Sequence, residues 1–187
     1  MAQEIEILVE LHDPVGVALD RLDDFLFKGL KETHDVYYTD PLRDYLQWDG
    51  KFFKDSLRIR EQGGKSSLNY KINHHKDGKW FYADEFETEI GDAEQVKQII
   101  TRMGLQELVT VHTKRYVFIA PLYEITIDDV QDLGVYMEVE YKGDPDPAQS
   151  VEDIKSALMA FMQSLGLNIG PESTHGKPEL MLLRAAG

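Results

Sequence analysis

The stretch SLRIREQGGKSSLNYKINHHKDGKWFYADEFETEI, residues 56–90, decides how this chain folds. Three of its segments alternate apolar with polar residues, as strands do: SLRIRE (56–61), SSLNYKINH (66–74) and WFYADEFETEI (80–90). The dipeptides Gly63-Gly64 and Asp77-Gly78 between them are typical of tight hairpin turns. We therefore predict three consecutive antiparallel strands over this stretch.

Strand-like segments elsewhere carry charged residues spaced two apart, as this stretch does. The sets are Glu4 and Glu6, Arg58 and Arg60, Glu85 with Glu87 and Glu89, and Glu138 and Glu140. Residues i and i+2 of a strand point to the same face, so each set projects like charges together. Burying like charges is costly without counter-charges or ligands. We expect the strands to line an interior that holds a highly charged ligand, although one such pair alone is more typical of a solvated strand face.

Alternation and capping patterns predict further elements on both sides of residues 56–90. Strands are predicted at 3–12, 33–40, 108–120, 122–130 and 135–143. Helices are predicted from Asp13-Pro14 to about Leu30, over 92–104 and over 149–165, the last preceded by Pro145 and Pro147. We expect a loop over 41–55 and either a short helix or a closing strand at 178–185. About eight strands with charged polar faces favour a closed barrel. We therefore predict a single α+β domain over residues 1–187, an antiparallel eight-stranded tunnel or barrel with helices packed on the outside.

Composition restricts the partners of this chain. The formal net charge of -14 argues against binding a nucleic-acid polymer, which requires a basic surface. The sequence has no run of about 18 apolar residues, so we predict no membrane span. The N-terminal sequence MAQEIEIL lacks the pattern of a signal peptide. The absence of cysteine is consistent with a cytoplasmic protein. An acidic exterior can still enclose a basic pocket, so a small polyanion remains a candidate ligand.

The charged strand residues form two chemical classes. The acids are Glu4, Glu6, Glu85, Glu87, Asp128, Glu138 and Glu140, and the bases are Arg58, Arg60, Lys71, Lys114 and Arg115. Guanidinium groups bind phosphate oxygens in pairs, and lysine adds a point charge. Carboxylates hold hard divalent cations such as Mg²⁺, which share the phosphates of a substrate. Both classes facing one interior would suit a metal–polyphosphate complex.

The order of these motifs resembles the CYTH superfamily, the triphosphate tunnel metalloenzymes. The matching segments are Glu4-Ile-Glu6-Ile-Leu8, LRIR with Arg58 and Arg60, NYK with Lys71, EFE with Glu85 and Glu87, Thr113-Lys114-Arg115, IDDVQDLG with Asp128, and MEVE with Glu138 and Glu140. The resemblance covers nearly the whole chain. The segments HDVYYTD and DDVQDLGVYMEVE are most similar to the branch of class IV adenylate cyclases and thiamine triphosphatases.

The resemblance implies a role for each matching residue. It implies Mg²⁺ or Mn²⁺ ligands at Glu4, Glu6, Asp128, Glu138 and Glu140. It implies substrate contacts at Arg58, Arg60, Lys71, Lys114, Arg115, Glu85 and Glu87. The implied catalytic set is Glu4, Glu6, Arg58, Arg60, Lys71 and Arg115.

Two positions depart from the family pattern. Leu8 stands where the Glu-x-Glu-x-Lys motif has lysine, and Thr113 stands where the Lys-x-Arg motif has lysine. Lys114 is adjacent, but a shift of one residue along a strand reverses the face to which a side chain points. A bulge would be needed for Lys114 to share a face with Arg115.

Three functions follow from the resemblance and these departures. The leading hypothesis is a metal-dependent phosphohydrolase acting on ATP, thiamine triphosphate or tripolyphosphate, narrowly ahead of a class IV adenylate cyclase that converts ATP to cyclic AMP. The third is a catalytically degenerate protein that binds a polyphosphate or nucleotide without turnover. No membrane or nucleic-acid polymer is expected as a partner, and a homodimer is compatible with the resembled branch.

Overall fold

The computed structural model describes residues 2–144 and 149–186, so the predicted role of Pro145 and Pro147 before a helix lies outside the described residues. Strands run β1 Ala2–Glu4, β2 Glu6–Leu11, β3 Leu26–Thr39, β4 Asp55–Gln62, β5 Lys65–Lys76, β6 Lys79–Ile90, β7 Gln106–Ile119, β8 Tyr123–Val130, β9 Gly134–Tyr141 and β10 Ile169–Glu172. Helices run α1 Val15–Arg21, α2 Ala93–Arg102, α3 Val151–Ser164 and α4 Lys177–Ala186, with a 3-10 turn at Asp44–Leu46.

The predicted α+β class and antiparallel pairing are confirmed, whereas the predicted count of eight strands is wrong. Within the described residues there are ten strands. The N-terminal strand is interrupted at Ile5, which divides it into β1 and β2. The additional strand β10 lies where the sequence predicted no element, and it contains Gly170 and Pro171. Because β10 is last in the strand order and, in the described part of the chain, pairs with β2 alone, it is an edge strand, where proline is tolerated.

The first predicted helix is much too long. It ends at Arg21 rather than near Leu30, and β3 begins at Leu26. Asp23 and Asp24 follow the helix, where acidic side chains oppose the helix dipole. Gly29 does not end a helix but lies within β3, at a φ of 118° that glycine adopts without strain.

The sequence places the start of this helix at Asp13-Pro14, with Asp13 as a candidate N-cap, but Asp13 does not cap it. Pro14 occupies the cap position, and no side chain caps the helix there. The Oδ2 atom of Asp13 instead accepts a hydrogen bond from the backbone N–H of Asn168, at 2.7 Å. Asp13 therefore holds the segment that leads into β10.

Both predicted hairpin turns are present. Gly63 and Gly64, between β4 and β5, have φ values of 57° and 77°. Asp77 and Gly78, between β5 and β6, have φ values of 52° and 74°. Two consecutive positive φ values match the right-handed twist of the flanking strands. These turns fix the register that decides which side chains share a face.

The residues group into two compact units. Unit 1 comprises residues 32–112 with the described residues at both chain ends, 2–3 and 175–186. Unit 2 comprises residues 4–31 and 113–174 in the described part of the chain. Strands β3 and β7 each contribute one part to unit 1 and another part to unit 2, because the unit boundaries fall within them.

The apolar core of unit 1 lies on one face of its strands. It contains Val36, Tyr38, Leu46, Ile59, Ile100 and Leu105, with Leu57, Leu68, Tyr70, Ile90, Ala93 and Val96 packed against it. Helix α2 contributes to this core through Ile100, and Asp92 caps its N-terminus by accepting from Gln95 N at 2.9 Å. The alternation of β3 and β4 sends their polar residues to the other face.

The core of unit 2 lies between helix α3 and the strands β2 and β9. Its most buried side chains are Ile7, Val9, Ile125, Ile127, Met137, Val139, Leu158 and Met162. A capping box between Ser150 and Asp153 starts α3, which stabilises the helix that covers these strands. The charged residues of β2 and β9 alternate with core residues and therefore point away from α3.

Among the described residues, no helix is long and apolar enough to cross a membrane.

A buried carboxylate joins two distant segments of unit 1. Glu179, in the first turn of α4, accepts from Phe53 N at 2.8 Å and from Gly176 N at 2.7 Å. Burial raises the pKa of Glu179 to about 7, although these two hydrogen bonds oppose the shift. The folded state therefore binds the proton of Glu179 more tightly than the unfolded chain does.

We predict that the free energy of unfolding falls as the pH rises from about 4.5 to 7, because the unfolded chain releases this proton at lower pH than the folded protein does. The expected loss is roughly 3 kcal/mol for this one carboxyl group. Glu179→Gln cannot titrate and should flatten this slope in urea unfolding measured across that pH range. Glu89→Gln, which alters an exposed carboxylate, is the control and should keep the wild-type slope. Equal slopes for wild type and Glu179→Gln would contradict the prediction.

Candidate functional site

The register of β3, β4, β5 and β6 brings the predicted unit 1 site residues to one face. Arg58 pairs with Tyr37 on β3 and with Asn69 on β5, and Asn69 pairs in turn with Glu87 on β6. The neighbouring rows hold Asp35, Arg60, Lys71 and Glu85. Directly paired residues of antiparallel strands point to the same side of the sheet. The predicted alternation of charge is therefore a charged face opposite the unit 1 core.

Asp35 is the most buried carboxylate of this face, at 4% exposure. Its Oδ1 atom accepts from Arg60 Nε at 2.7 Å, and its Oδ2 atom accepts from Arg60 Nη2 at 2.6 Å. This side-on pairing of a guanidinium with a carboxylate is the strong bidentate form. Arg60 is therefore fixed in place by Asp35.

Arg58 is held less closely, although it is only 8% exposed. Its Nη1 atom lies 3.6 Å from Asp35 Oδ2 and 3.5 Å from the hydroxyl of Tyr37, and its Nη2 atom lies 3.8 Å from Glu87 Oε2. Its Nε–H group is buried and has no hydrogen-bond partner among the described residues. An unsatisfied buried donor is rare in folded proteins and indicates a position where a ligand can accept.

Asn69 organises the acids of the same face. Its Nδ2 atom donates to Glu85 Oε1 at 2.5 Å and to Glu87 Oε2 at 3.2 Å. Lys71 Nζ lies 3.7 Å from Glu85 Oε1. Glu85 and Glu87 therefore lie beside the bases and neutralise part of their charge.

The register of unit 2 gathers acidic residues on one face of β2, β9, β8 and β7. In this register Glu6 pairs with Glu140, which pairs with Glu124, and Leu8 pairs with Glu138, which pairs with Thr126. Across these four strands the shared face carries six carboxylates and one arginine among the described residues: Glu6, Glu10, Glu124, Asp128, Glu138, Glu140 and Arg115. This face has a surplus of negative charge.

Glu140 shows the electrostatic cost of this surplus. Burial raises the pKa of Glu140 to about 7, and the nearby charges of Glu4 and Glu138 add to the shift. A hydrogen bond from Lys142 Nζ, at 2.6 Å, opposes it. Carboxylates crowded in this way are stabilised by any bound cation.

Arg115 and Asp128 form a second bidentate pair. Arg115 Nε donates to Asp128 Oδ1 at 2.8 Å, and Nη2 donates to Oδ2 at 2.7 Å. Asp128 is fully buried, and Arg115 Nη2 also lies 3.4 Å from Glu138 Oε1. Asp128 therefore fixes the orientation of Arg115, and Arg115 joins Asp128 to Glu138.

The structure does not bring Lys114 together with the other site residues. Lys114 pairs with Asp129, and the β7–β8 register continues without a bulge from Thr113 to Ile119. Lys114 is therefore exposed on the face opposite Arg115. Thr113 is buried and shares the face of Arg115, so a hydroxyl stands where the family motif has lysine.

Leu8 takes a position within the acidic face. It is paired with Glu138 and is 9% exposed. An aliphatic side chain there supplies no positive charge to the carboxylates around it. The hydroxyl of Thr126, on the other side of Glu138, is buried without a hydrogen-bond partner among the described residues.

The carboxylates of unit 2 are the type of ligand that a divalent cation prefers, but they are not positioned to coordinate one. Carboxylate oxygens are the ligands preferred by Mg²⁺ and Mn²⁺. Within the described residues, no group of three or more His, Asp or Glu side chains is positioned to hold a metal ion as it stands.

Sequence reasoning missed three polar residues on these faces. Asp35, Asn69 and Thr126 each lie two residues from another polar residue of the same strand, at Tyr37, Lys71 and Asp128. The same alternation that identified the charged pairs could have identified them. Selecting only like-charged pairs excluded them.

Comparison with known proteins agrees with this arrangement of motifs. A family model described as the CYTH domain matches residues 2–169. A protein of Methanocaldococcus jannaschii named "Putative adenylate cyclase" is 29% identical over 185 residues, covering 96% of this chain and 97% of its own length.

Solved structures share the fold. A protein of Pyrococcus horikoshii matches with a TM-score of 0.77 at 22% identity, over 96% of this chain and 99% of its own. A Hippeastrum protein, called a "putative adenylyl cyclase" with a dominant triphosphatase activity, matches with a TM-score of 0.62 at 19% identity, over 98% of this chain and 96% of its own. Because the family model spans residues 2–169, this chain belongs to the CYTH domain family.

Proposed function

We propose that this protein is a metal-dependent phosphohydrolase that acts on a small triphosphate. The observation that carries the proposal is Arg58, a buried arginine whose Nε–H has no hydrogen-bond partner among the described residues. A phosphate oxygen would satisfy that donor and would add a charge-assisted bond. Lys71, on the same face, offers a second cation for a neighbouring phosphate.

The acidic face of unit 2 supports the metal half of the proposal. Glu4, Glu6, Glu138 and Glu140 are the residues that would hold Mg²⁺ or Mn²⁺. The raised pKa of Glu140 supports this assignment, because a cation near it would relieve the repulsion from Glu4 and Glu138. When bound, the ion would neutralise phosphate charge and polarise an attacking water.

The protein's own residues have separate tasks in this chemistry. Arg58 and Lys71 orient the phosphates and stabilise the charge that develops on their oxygens, which is the main requirement of phosphoryl transfer. Asp128 holds Arg115 beside Glu138, so the guanidinium keeps its orientation. The carboxylates of unit 2 would attract the divalent cation that accompanies a triphosphate.

A second candidate is an adenylate cyclase, which is favoured by the name of the 29% identical relative. A cyclase would bind the triphosphate of ATP through the same bases, while the ribose 3′-hydroxyl would replace water as the nucleophile. The Hippeastrum protein supports the hydrolase instead, since its description assigns a dominant triphosphatase activity to a similar fold. Product analysis separates the two candidates.

We predict that the protein releases phosphate from tripolyphosphate, thiamine triphosphate or ATP when Mg²⁺ or Mn²⁺ is present. The assay measures phosphate and cyclic AMP in parallel, with chelator added as the control. Cyclic AMP as the main product would replace the hydrolase by the cyclase. Binding without either product would replace both by a binding protein, for which Leu8 and Thr113, at the two family lysine positions, would be the physical explanation.

A second prediction tests the metal ligands separately. Glu140→Gln removes one charge from the acidic face at constant size and should weaken Mn²⁺ binding to the protein roughly tenfold, as expected when one anionic ligand is lost. Asp129→Asn is the matched control, because it removes an exposed carboxylate from the opposite face of the neighbouring strand β8. Isothermal titration with Mn²⁺ alone gives the affinities. Equal weakening by both variants would reduce the effect to net charge and would remove Glu140 from the ligand set.

A further inference from the structure

The Arg-x-Arg spacing does not distinguish Arg58 from Arg60, but the contacts of the two side chains differ. Arg60 gives both Nε and Nη2 to the buried carboxylate of Asp35, at 2.7 and 2.6 Å. Arg58 approaches its acceptors no closer than 3.5 Å, and its buried Nε–H has no partner among the described residues. The edge of a guanidinium that binds a phosphate side-on is the edge between Nε and Nη2. In Arg60 both atoms of that edge donate to Asp35, whereas in Arg58 Nη2 lies 3.8 Å from Glu87 Oε2 and Nε has no hydrogen-bond partner among the described residues.

We propose that Asp35 is a positioning residue that holds Arg60 and thereby leaves Arg58 as the arginine that binds phosphate. The inference rests on the proposed function and assigns different roles to Arg58 and Arg60. Asp35 directly faces Arg60 across the β3–β4 pairing, whereas its Oδ2 atom is 3.6 Å from Arg58 Nη1. A buried carboxylate requires a close cation, and Arg60 satisfies that requirement.

Without Arg60, the nearest guanidinium to Asp35 on this face is that of Arg58. The distance of 3.6 Å is short enough for a small side-chain rotation to form a direct ion pair. Arg58 would then give Asp35 the donors that a phosphate needs. Arg60 therefore supports phosphate binding by occupying Asp35, not by contacting the ligand.

The same arrangement recurs in unit 2, which makes it unlike an isolated surface ion pair. Arg115 gives Nε and Nη2 to Asp128, which is fully buried, at 2.8 and 2.7 Å. In both units an aspartate on a neighbouring strand takes the binding edge of one arginine. Buried bidentate pairs of this kind fix orientation rather than provide an open site.

A double-mutant cycle on Asp35 and Arg60 tests the proposal, with tripolyphosphate and Mg²⁺ as the titrated ligand. We expect Arg60→Gln to weaken binding roughly tenfold, a loss within the range of coupling between neighbouring charges. Adding Asp35→Asn to this variant should restore the affinity to within about threefold of wild type, because Arg58 is released. Asp35→Asn alone should change the affinity by less than about threefold, since Arg58 is already available.

The cycle separates positioning from a general charge effect. If Arg60 itself bound the phosphate, adding Asp35→Asn to Arg60→Gln would not restore the lost affinity, and that failure of rescue would overturn the proposal. If wild type does not bind tripolyphosphate at all, the proposed function fails instead. Circular dichroism and thermal melts are measured for every variant before titration.

If Arg60→Gln or Asp35→Asn prevents folding, a second pair of variants that keeps the positive charge tests the same proposal. Lysine preserves the positive charge but lacks the Nε–Nη2 edge. Arg58→Lys should weaken tripolyphosphate binding roughly tenfold, whereas Arg60→Lys, still paired with Asp35, should stay within about threefold of wild type. The reverse order of effects would show that Arg60 is the phosphate-binding arginine and would overturn the proposal.

Discussion

Compensation of charge on strand faces is the constraint on which the rest of this structure depends. Alternation sends every second residue of β4, β5 and β9 away from the apolar cores, and many of these residues are charged. A charge held near a packed sheet must find an opposite charge, a hydrogen bond or a ligand. In unit 1 the partners are largely internal, as with Asp35 and Arg60. Among the described residues of unit 2, the acids outnumber the one arginine that the register brings to them.

Much of the fold could be predicted because its signals are local. The hairpins around Gly63-Gly64 and Asp77-Gly78 follow from turn chemistry and alternation within a few residues. The boundary between α1 and β3 could not be predicted in the same way, since Phe25 and Leu26 fit a helical stripe as well as the start of a strand. Strand β10 has only four residues and owes its existence to pairing with β2, which no local pattern records.

The strand faces that the candidate residues share could be predicted from the sequence, whereas their hydrogen bonds could not. Spacing by two residues placed Arg58 with Arg60 and Glu138 with Glu140 on shared faces. It could not reveal that Asp35 would take the binding edge of Arg60, because that choice depends on distances between strands. Lys114 illustrates the limit most clearly. Its neighbour Arg115 lies on the charged face, and only the bulge-free register shows that Lys114 does not.

The hydrogen bonds of Glu179 have a consequence for how the chain acquires its structure during synthesis. Phe53 and Glu179 are 126 residues apart, so the backbone N–H of Phe53 gains this acceptor only after residue 179 has been synthesised. Unit 2 has the same property, since β2 pairs with β9 and β10, more than a hundred residues later. Contacts of such long sequence separation close late and slowly. In a nascent chain β2 therefore has no strand partner on either edge until β9, more than a hundred residues later, has been synthesised.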